Sequence, residues 1–415
     1  MADRHFRRLQ GVSPSTGTGP AATESPSALP PSAPSSWRSL TVLLVAAAAL
    51  GVGSLPASAV PATGPKDVVR AGLERLVADD RYPAAMASTT IAGGRVRNYT
   101  AGVADLRTGA KVPVDGQVRA GSNTKTYAAV VVLQLVGEGK VELDAPIDRY
   151  LPGLVRGEGI DGRAITVRQL LQHTSGLPNY TDDLFEAVFG EGRHHYYQPR
   201  DLLDLALAHK ALFAPGTKWS YSNTNYVLAG LLIEKVTGRP FSEQITKRVI
   251  DRIGLRHTYF PGVGEEGIRE AHPHGYHAPT TGGPLTDVTE LDGSWGWAAG
   301  QLVSTPSDLN RFFSALMGGR LLGPAQLAEM KTTVRMPDEA ASSPGEEYGL
   351  GLSRRPLSCG GVAWGHGGAM PGFHTLPGVT EDGRAATIAV TANIAPGPKS
   401  VEHFQAMLDT SLCAE

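Results

Sequence analysis

The chain has almost no net charge: 38 Lys and Arg stand against 40 Asp and Glu among 415 residues. That balance excludes the basic footprint that nucleic acid or an anionic lipid surface requires. Cysteine is nearly absent, Cys359 and Cys413 being the only two, so a cysteine nucleophile is a poor reading. Long hydrophobic runs are also missing. A spanning helix needs about 20 apolar residues, and the one candidate, Leu40–Leu55, is shorter and rich in Ala and Gly. It follows Arg38 and ends at Ala57-Ser58-Ala59, a small-x-small pattern that a signal peptidase accepts. Residues 1–59 are therefore expected to be a disordered, Ser/Pro/Thr-rich n-region and a signal peptide cleaved after Ala59. The mature protein is then secreted, with no membrane anchor kept. In an exported protein an even pair of cysteines reads as one disulfide, with two small buried thiols as the other reading.

What is present suits a globular domain over residues 60–415. Val68, Val69, Ala71, Leu73, Leu76 and Val77 predict an amphipathic helix over 66–78. Strand-like runs Ala85–Ala92 and Arg95–Val103 flank Gly93-Gly94, a hairpin signal. Strand patterns return only at Tyr348–Arg354, Gly361–Gly365, Gly372–Pro377 and Ala385–Ala392, before a closing helix through Val401, Phe404, Met407 and Leu408. Between Thr126 and about Leu316 the pattern is mainly helical, broken by Gly and Pro. The expected fold is α+β: an antiparallel sheet flanked by helices, built from about 66–120 and 317–415. A mainly helical subdomain, about 121–316, is inserted. A cleft between two such units is a usual place for an active site.

Ser122-Asn123-Thr124-Lys125 follows Gly121 and opens the apolar run 126–136, which reads as a buried helix. A helix mouth favours a developing anion. Lys125, one turn on, shares the face of Ser122, and desolvation there disfavours its ammonium form so that it can serve as a base. Alone, Ser122 is equally an N-cap and Lys125 a solvated residue. Tyr221-Ser222-Asn223 follows the Pro215-Gly216 turn and precedes a second apolar helix, 227–236. A phenolate there is favoured beside a cationic Lys and can relay protons. Asn223 offers a donor and an acceptor for a substrate amide. His366-Gly367-Gly368 is glycine-dense enough for a backbone to approach a ligand as an edge strand. His272-Pro273-His274-Gly275-Tyr276-His277 and His194-His195 lie in loops without a cysteine or carboxylate set, so no metal and no cofactor are expected. The segment His173-Thr174-Ser175-Gly176 is assigned to packing and turn formation.

Ser-x-x-Lys, Tyr-x-Asn and His-x-Gly each occur once, in that order and widely spaced. In this the chain resembles the penicillin-binding-protein and serine β-lactamase superfamily. It is similar above all to the class C β-lactamases and the secreted actinomycete DD-carboxypeptidase–transpeptidases. The likeness runs from about Lys66 to Cys413 and is densest at Leu133–Asp144, Ile165–Leu177, Tyr221–Thr237 and Leu357–Gly360.

The resemblance implies that Ser122 becomes acylated while Lys125 and Tyr221 share the proton traffic. Asn223 then holds the substrate amide, and His366 helps organise the relay. The backbone N–H groups of Ser122 and Ala369 form an oxyanion hole. Phe185, Trp295, Gly367 and Gly368 line the cleft, and Cys359 and Cys413 fall where that family's disulfide lies. One feature departs from the family. Its carboxypeptidases hold a terminal carboxylate with an Arg and two Thr, and the matching positions here are Ser353, Gly367 and Ala369. Arg355 has the strand parity to substitute, whereas Arg354 points away.

The implied activity is acyl-enzyme hydrolysis of D-amino-acid peptides or β-lactams, D-Ala-D-Ala carboxypeptidase-like or β-lactamase-related. An esterase or D-aminopeptidase, and a penicillin-acylated sensor with little turnover, are the alternatives. The expected partners are a small peptide, a cell-wall peptide or a β-lactam, met by a monomer.

Overall fold

The computed structural model describes residues 67–91, 94–280, 282–394 and 399–414. The expected leader, 1–59, lies outside them. The chain opens with helix α1 (Val68–Ala78), whose N-terminus is capped by the Asp67 carboxylate accepting from the Arg70 N–H. The hairpin forms from β1 (Ala84–Thr90) and β2 (Val96–Asp105), in register from Ala84↔Gly102 to Thr90↔Val96.

The C-terminal strands are β3 (Ser353–Pro356), β4 (Val362–Gly365), β5 (Gly368–Met370), β6 (Phe373–Thr380) and β7 (Ala385–Val390). Among the described residues they join β1 and β2 in one ten-stranded sheet. The two ends of the chain meet where β7 pairs β1, Ala85 opposite Val390. The expected strand Tyr348–Arg354 divides into Glu347–Tyr348 and β3, because the chain turns at Gly351, whose φ of 71° is left-handed.

β1 and β7 carry Ala, Ser, Thr and a few larger apolar residues and are buried along nearly their whole length, as strands covered on both faces must be. On one face, Val69, Leu73 and Leu76 of α1 pack with Phe404, Met407 and Leu408 of the closing helix Ser400–Cys413. On the other lies the helix Pro306–Met317, whose Asn310 amide donates to Ser88 O (2.8 Å) and accepts from Thr387 Oγ1 (2.7 Å). That helix falls inside 121–316, the stretch expected to be the inserted helical region, yet it packs on the sheet. Its Leu309, Phe312, Phe313 and Leu316 are buried, with Phe312 stacked on Tyr127 at 3.6 Å between ring centroids. Among the described residues no helix is long and apolar enough to cross a membrane.

Cys359 and Cys413 form a disulfide with Cα atoms 5.7 Å apart, fastening the loop between β3 and β4 to the closing helix. Their separation of 54 residues makes the closure entropy worth on the order of 4 kcal/mol. Replacing both by Ser should lower stability by about that amount, read as a lower urea midpoint. Reductant should shift the wild type the same way and leave the variant unmoved.

Candidate active site

The site forms around helix α2 (Asn123–Gly137), which is buried on nearly every side. The strand Val118–Arg119 pairs with Val303–Ser304 and delivers the chain to Gly121, whose φ of 55° turns it into the helix. A Cβ on Gly121 would lie 2.5 Å from Ala369 N, and one on Gly368 would lie 2.0 Å from Ala120 O. Only glycine permits this approach. It sets the backbone of β5 against the turn carrying Ser122. Among the described residues β5 pairs with β6 alone, so it is an edge strand, as its glycines suggest.

Ser122 stands at the N-cap of α2 but makes no capping hydrogen bond. Its hydroxyl meets Lys125 instead, with Nζ 3.0 Å from Oγ. Lys125 is fully buried and also donates to Asn223 Oδ1 and to Ala299 O, each at 2.7 Å. Burial holds its pKa well below the ordinary lysine value. A neutral amine has two N–H donors and one lone pair. With Asn223 and Ala299 taking the donors, the lone pair is left for the Ser122 hydroxyl proton. The geometry is that of a base already aimed at its nucleophile.

Tyr221 lies half-buried with its ring 4.9 Å from Lys125 Nζ. The sequence suggested a phenolate favoured by a cationic lysine. The structure reverses this: burial raises the Tyr221 pKa, and its hydrogen bond with Ser122 opposes this more weakly. Burial also disfavours the Lys125 cation that would favour a phenolate, so Tyr221 is set to keep its proton as a donor.

Asn223 was expected to grip a substrate amide. In the structure its Oδ1 accepts from Lys125, and its Nδ2 donates to Asn179 Oδ1 (3.2 Å) and Thr181 Oγ1 (3.1 Å). It is bound into the protein at both ends.

His366 is buried, and burial is the main cause that pushes its pKa down to about 3. Its Nδ1 lies 2.6 Å from Gly367 O, which can only accept, so the ring proton sits on Nδ1. Nε2 then accepts from the Tyr348 hydroxyl at 2.8 Å. The imidazole is neutral, with both nitrogens engaged.

Phe185 lies on the helix Thr181–Phe189, one turn after Thr181, and packs against Phe189 with ring centroids 5.1 Å apart. The Trp295 carbonyl accepts from Tyr180 at 2.6 Å, four residues before the Ala299 carbonyl that holds Lys125. Both aromatics thus ride on segments that touch the catalytic cluster.

Arg355 shares a buried face of β3 with Ser353, while Arg354 is half-exposed. Its Nη2 comes within 3.9 Å of where a Cβ on Gly367 would stand. Its Nε donates to Glu346 Oε1 at 2.9 Å, and both side chains are buried. The guanidinium has the position but carries its own counter-charge.

Residues 69–411 match the protein family described as Beta-lactamase. The chain belongs to that family of active-site serine hydrolases. A D-stereospecific amidohydrolase from Streptomyces sp. is 40% identical, with 84% of this chain and 98% of that one covered at a TM-score of 0.75. The D-amino acid amidase from Ochrobactrum anthropi SV3 is 27% identical over 83% and 96%, with a TM-score of 0.73. A penicillin-binding protein of Bacillus subtilis (strain 168) is 26% identical over 68% of this chain and 62% of its own. The chain spans about three fifths of the length of the Bacillus subtilis relatives it matches.

Sequence reasoning missed two participants in this β-lactamase-family site. Ala299 contributes a backbone carbonyl, for which no side-chain pattern exists. His173, assigned to packing, sits directly behind Tyr221 with ring centroids 4.3 Å apart. Among the described residues no cluster of three or more His, Cys, Asp or Glu is placed to hold a metal.

Proposed function

We propose that the chain hydrolyses amides of D-amino acids, as an amidase or D-aminopeptidase, through an acyl-enzyme on Ser122. Lys125 takes the Ser122 proton as Oγ bonds to the substrate carbonyl carbon. The oxyanion that forms is met by the N–H groups of Ser122 and Ala369, a kind of contribution worth about 3–4 kcal/mol per donor. As the C–N bond breaks, the Tyr221 phenol gives its proton to the leaving nitrogen, and Lys125 returns the proton it holds to Tyr221. Water then releases the acyl group by the same steps reversed. Asn223 and Ala299 keep Lys125 aimed, and neutral His366 adds no charge to oppose its protonation during the step.

One observation carries the choice of substrate. The only guanidinium beside Gly367 among the described residues, that of Arg355, is paired with Glu346, and positions 367 and 369 supply no hydroxyl. A leaving group bearing a carboxylate finds no free cation there and loses its charge-assisted bonds. An uncharged amide loses nothing. The D-amino-acid amide hydrolases among the similar structures support the same reading. The Cys359–Cys413 bond supports export, since disulfides persist in oxidising compartments.

The test is a substrate panel. D-Phenylalanine amide should be hydrolysed with a kcat/KM about 100-fold above its L-form, a difference of roughly 2.7 kcal/mol in transition-state contacts. An acylated D-Ala-D-Ala peptide should release little D-alanine. A peptide turned over faster than the amide overturns the proposal.

A further inference from the structure

His173 forms and breaks no bond in these steps, yet the site is built around it. It is fully buried and adopts a left-handed backbone, φ 62°, which a residue with a Cβ takes only at a cost of roughly 1–2 kcal/mol. Such strain persists where the surroundings over-determine it. Here three contacts do so. The Ser220 N–H donates to His173 O (3.0 Å), the Ser222 N–H to its Nδ1 (3.3 Å), and the Asn225 amide also meets Nδ1 (3.0 Å). Asn225 Oδ1 is taken by the Ser175 hydroxyl at 2.5 Å, so Nδ2 is the atom that donates. The ring proton therefore sits on Nε2, which has no hydrogen-bond partner among the described residues. Tyr221, Tyr348 and Tyr226 surround the ring at 4.3, 5.0 and 5.4 Å between centroids. Burial above all holds the pKa of the imidazole well below the ordinary histidine value.

We propose that His173 is the positioning residue for Tyr221: its backbone and Nδ1 hold the 220–222 segment, and its ring face holds the phenol at Ser122. The proposal rests on Tyr221 being the leaving-group acid, and it predicts how His173 variants discriminate between leaving groups. A poor leaving group such as ammonia must be protonated as it departs, whereas p-nitrophenolate departs unaided. A residue that only supports the fold would depress both reactions alike.

The experiment compares kcat/KM for a D-amino-acid amide and for the p-nitrophenyl ester of the same acyl group, because kcat/KM reports acylation for both. His173→Asn retains an acceptor and tolerates the left-handed backbone, so it is the variant that folds if His173→Phe does not. The expected result is a fall of about 100-fold on the amide, the lower range for a general acid, with the ester lowered by no more than about threefold. Tyr221→Phe, measured alongside, should show the same discrimination. Equal losses on amide and ester in His173→Asn, with discrimination intact in Tyr221→Phe, overturn the role of His173 alone. Equal losses in Tyr221→Phe overturn the role of Tyr221 as leaving-group acid instead.

Discussion

Ser122→Ala is expected to remove about 10⁶-fold from kcat, the scale on which losing a serine nucleophile has been felt elsewhere. The change deletes one half-buried oxygen that caps nothing, so it should leave the fold and the thermal midpoint nearly unchanged. What it removes is the atom on which the Lys125 lone pair and the Tyr221 phenol converge. The burst of p-nitrophenolate from a D-amino-acid p-nitrophenyl ester reads this directly. The wild type should take up about one equivalent per active site by covalent acylation, and the variant none. An undiminished burst in Ser122→Ala would move the nucleophile elsewhere.

How far this site was legible depends on what kind of atom does the work. Ser122, Lys125 and Tyr221 act through side-chain types at a fixed spacing, which sequence displays. The N-cap alternative for Ser122 was resolved only by coordinates, because capping depends on where a hydroxyl points. Asn223 was legible as a residue, but sequence does not show that Lys125, Asn179 and Thr181 all meet its amide. The electrostatics of Tyr221 were misread for a related reason. Adjacency to a lysine suggests a cation, but full burial disfavours that charge. The His173 segment was visible, yet its part in the site depends on a left-handed backbone that a histidine does not announce.

The fold shows the same division. The pairing of β1 with β2 and the two buried helices were plain, since period and turn chemistry are local. The place of the helix Pro306–Met317 was not. Its stripe of apolar residues at helical spacing fits either a helical layer or a sheet face, and only the partners Ser88 and Thr387 decide. The division of Tyr348–Arg354 was hidden likewise, because Gly351 bends the chain for the sake of Tyr226 and Lys125: a Cβ there would lie 2.6 Å from the Tyr226 hydroxyl.

Lys125→Met should cost about 10³–10⁴-fold in kcat/KM, near the upper range for a general base. Lys125→Arg should be no better, because a guanidinium stays charged and has no lone pair to give. Retention of more than a tenth of the activity by either variant would exclude Lys125 as the base. The pH dependence carries the sharper evidence. The folded-state pKa of Lys125 is depressed, so between that value and the unfolded one near 10.5 the unfolded chain holds the extra proton. Stability linked to this group therefore rises with pH and levels off above the unfolded value. Lys125→Met has no such group, while the other titrating residues are common to both proteins. The stability of the wild type relative to Lys125→Met should climb by up to about 1.4 kcal/mol per pH unit on the approach to pH 10.5, read from urea unfolding at each pH. A flat difference would mean that Lys125 keeps its proton in the folded protein. The lone pair aimed at Ser122 would then not exist, and the base would have to be sought at another nitrogen.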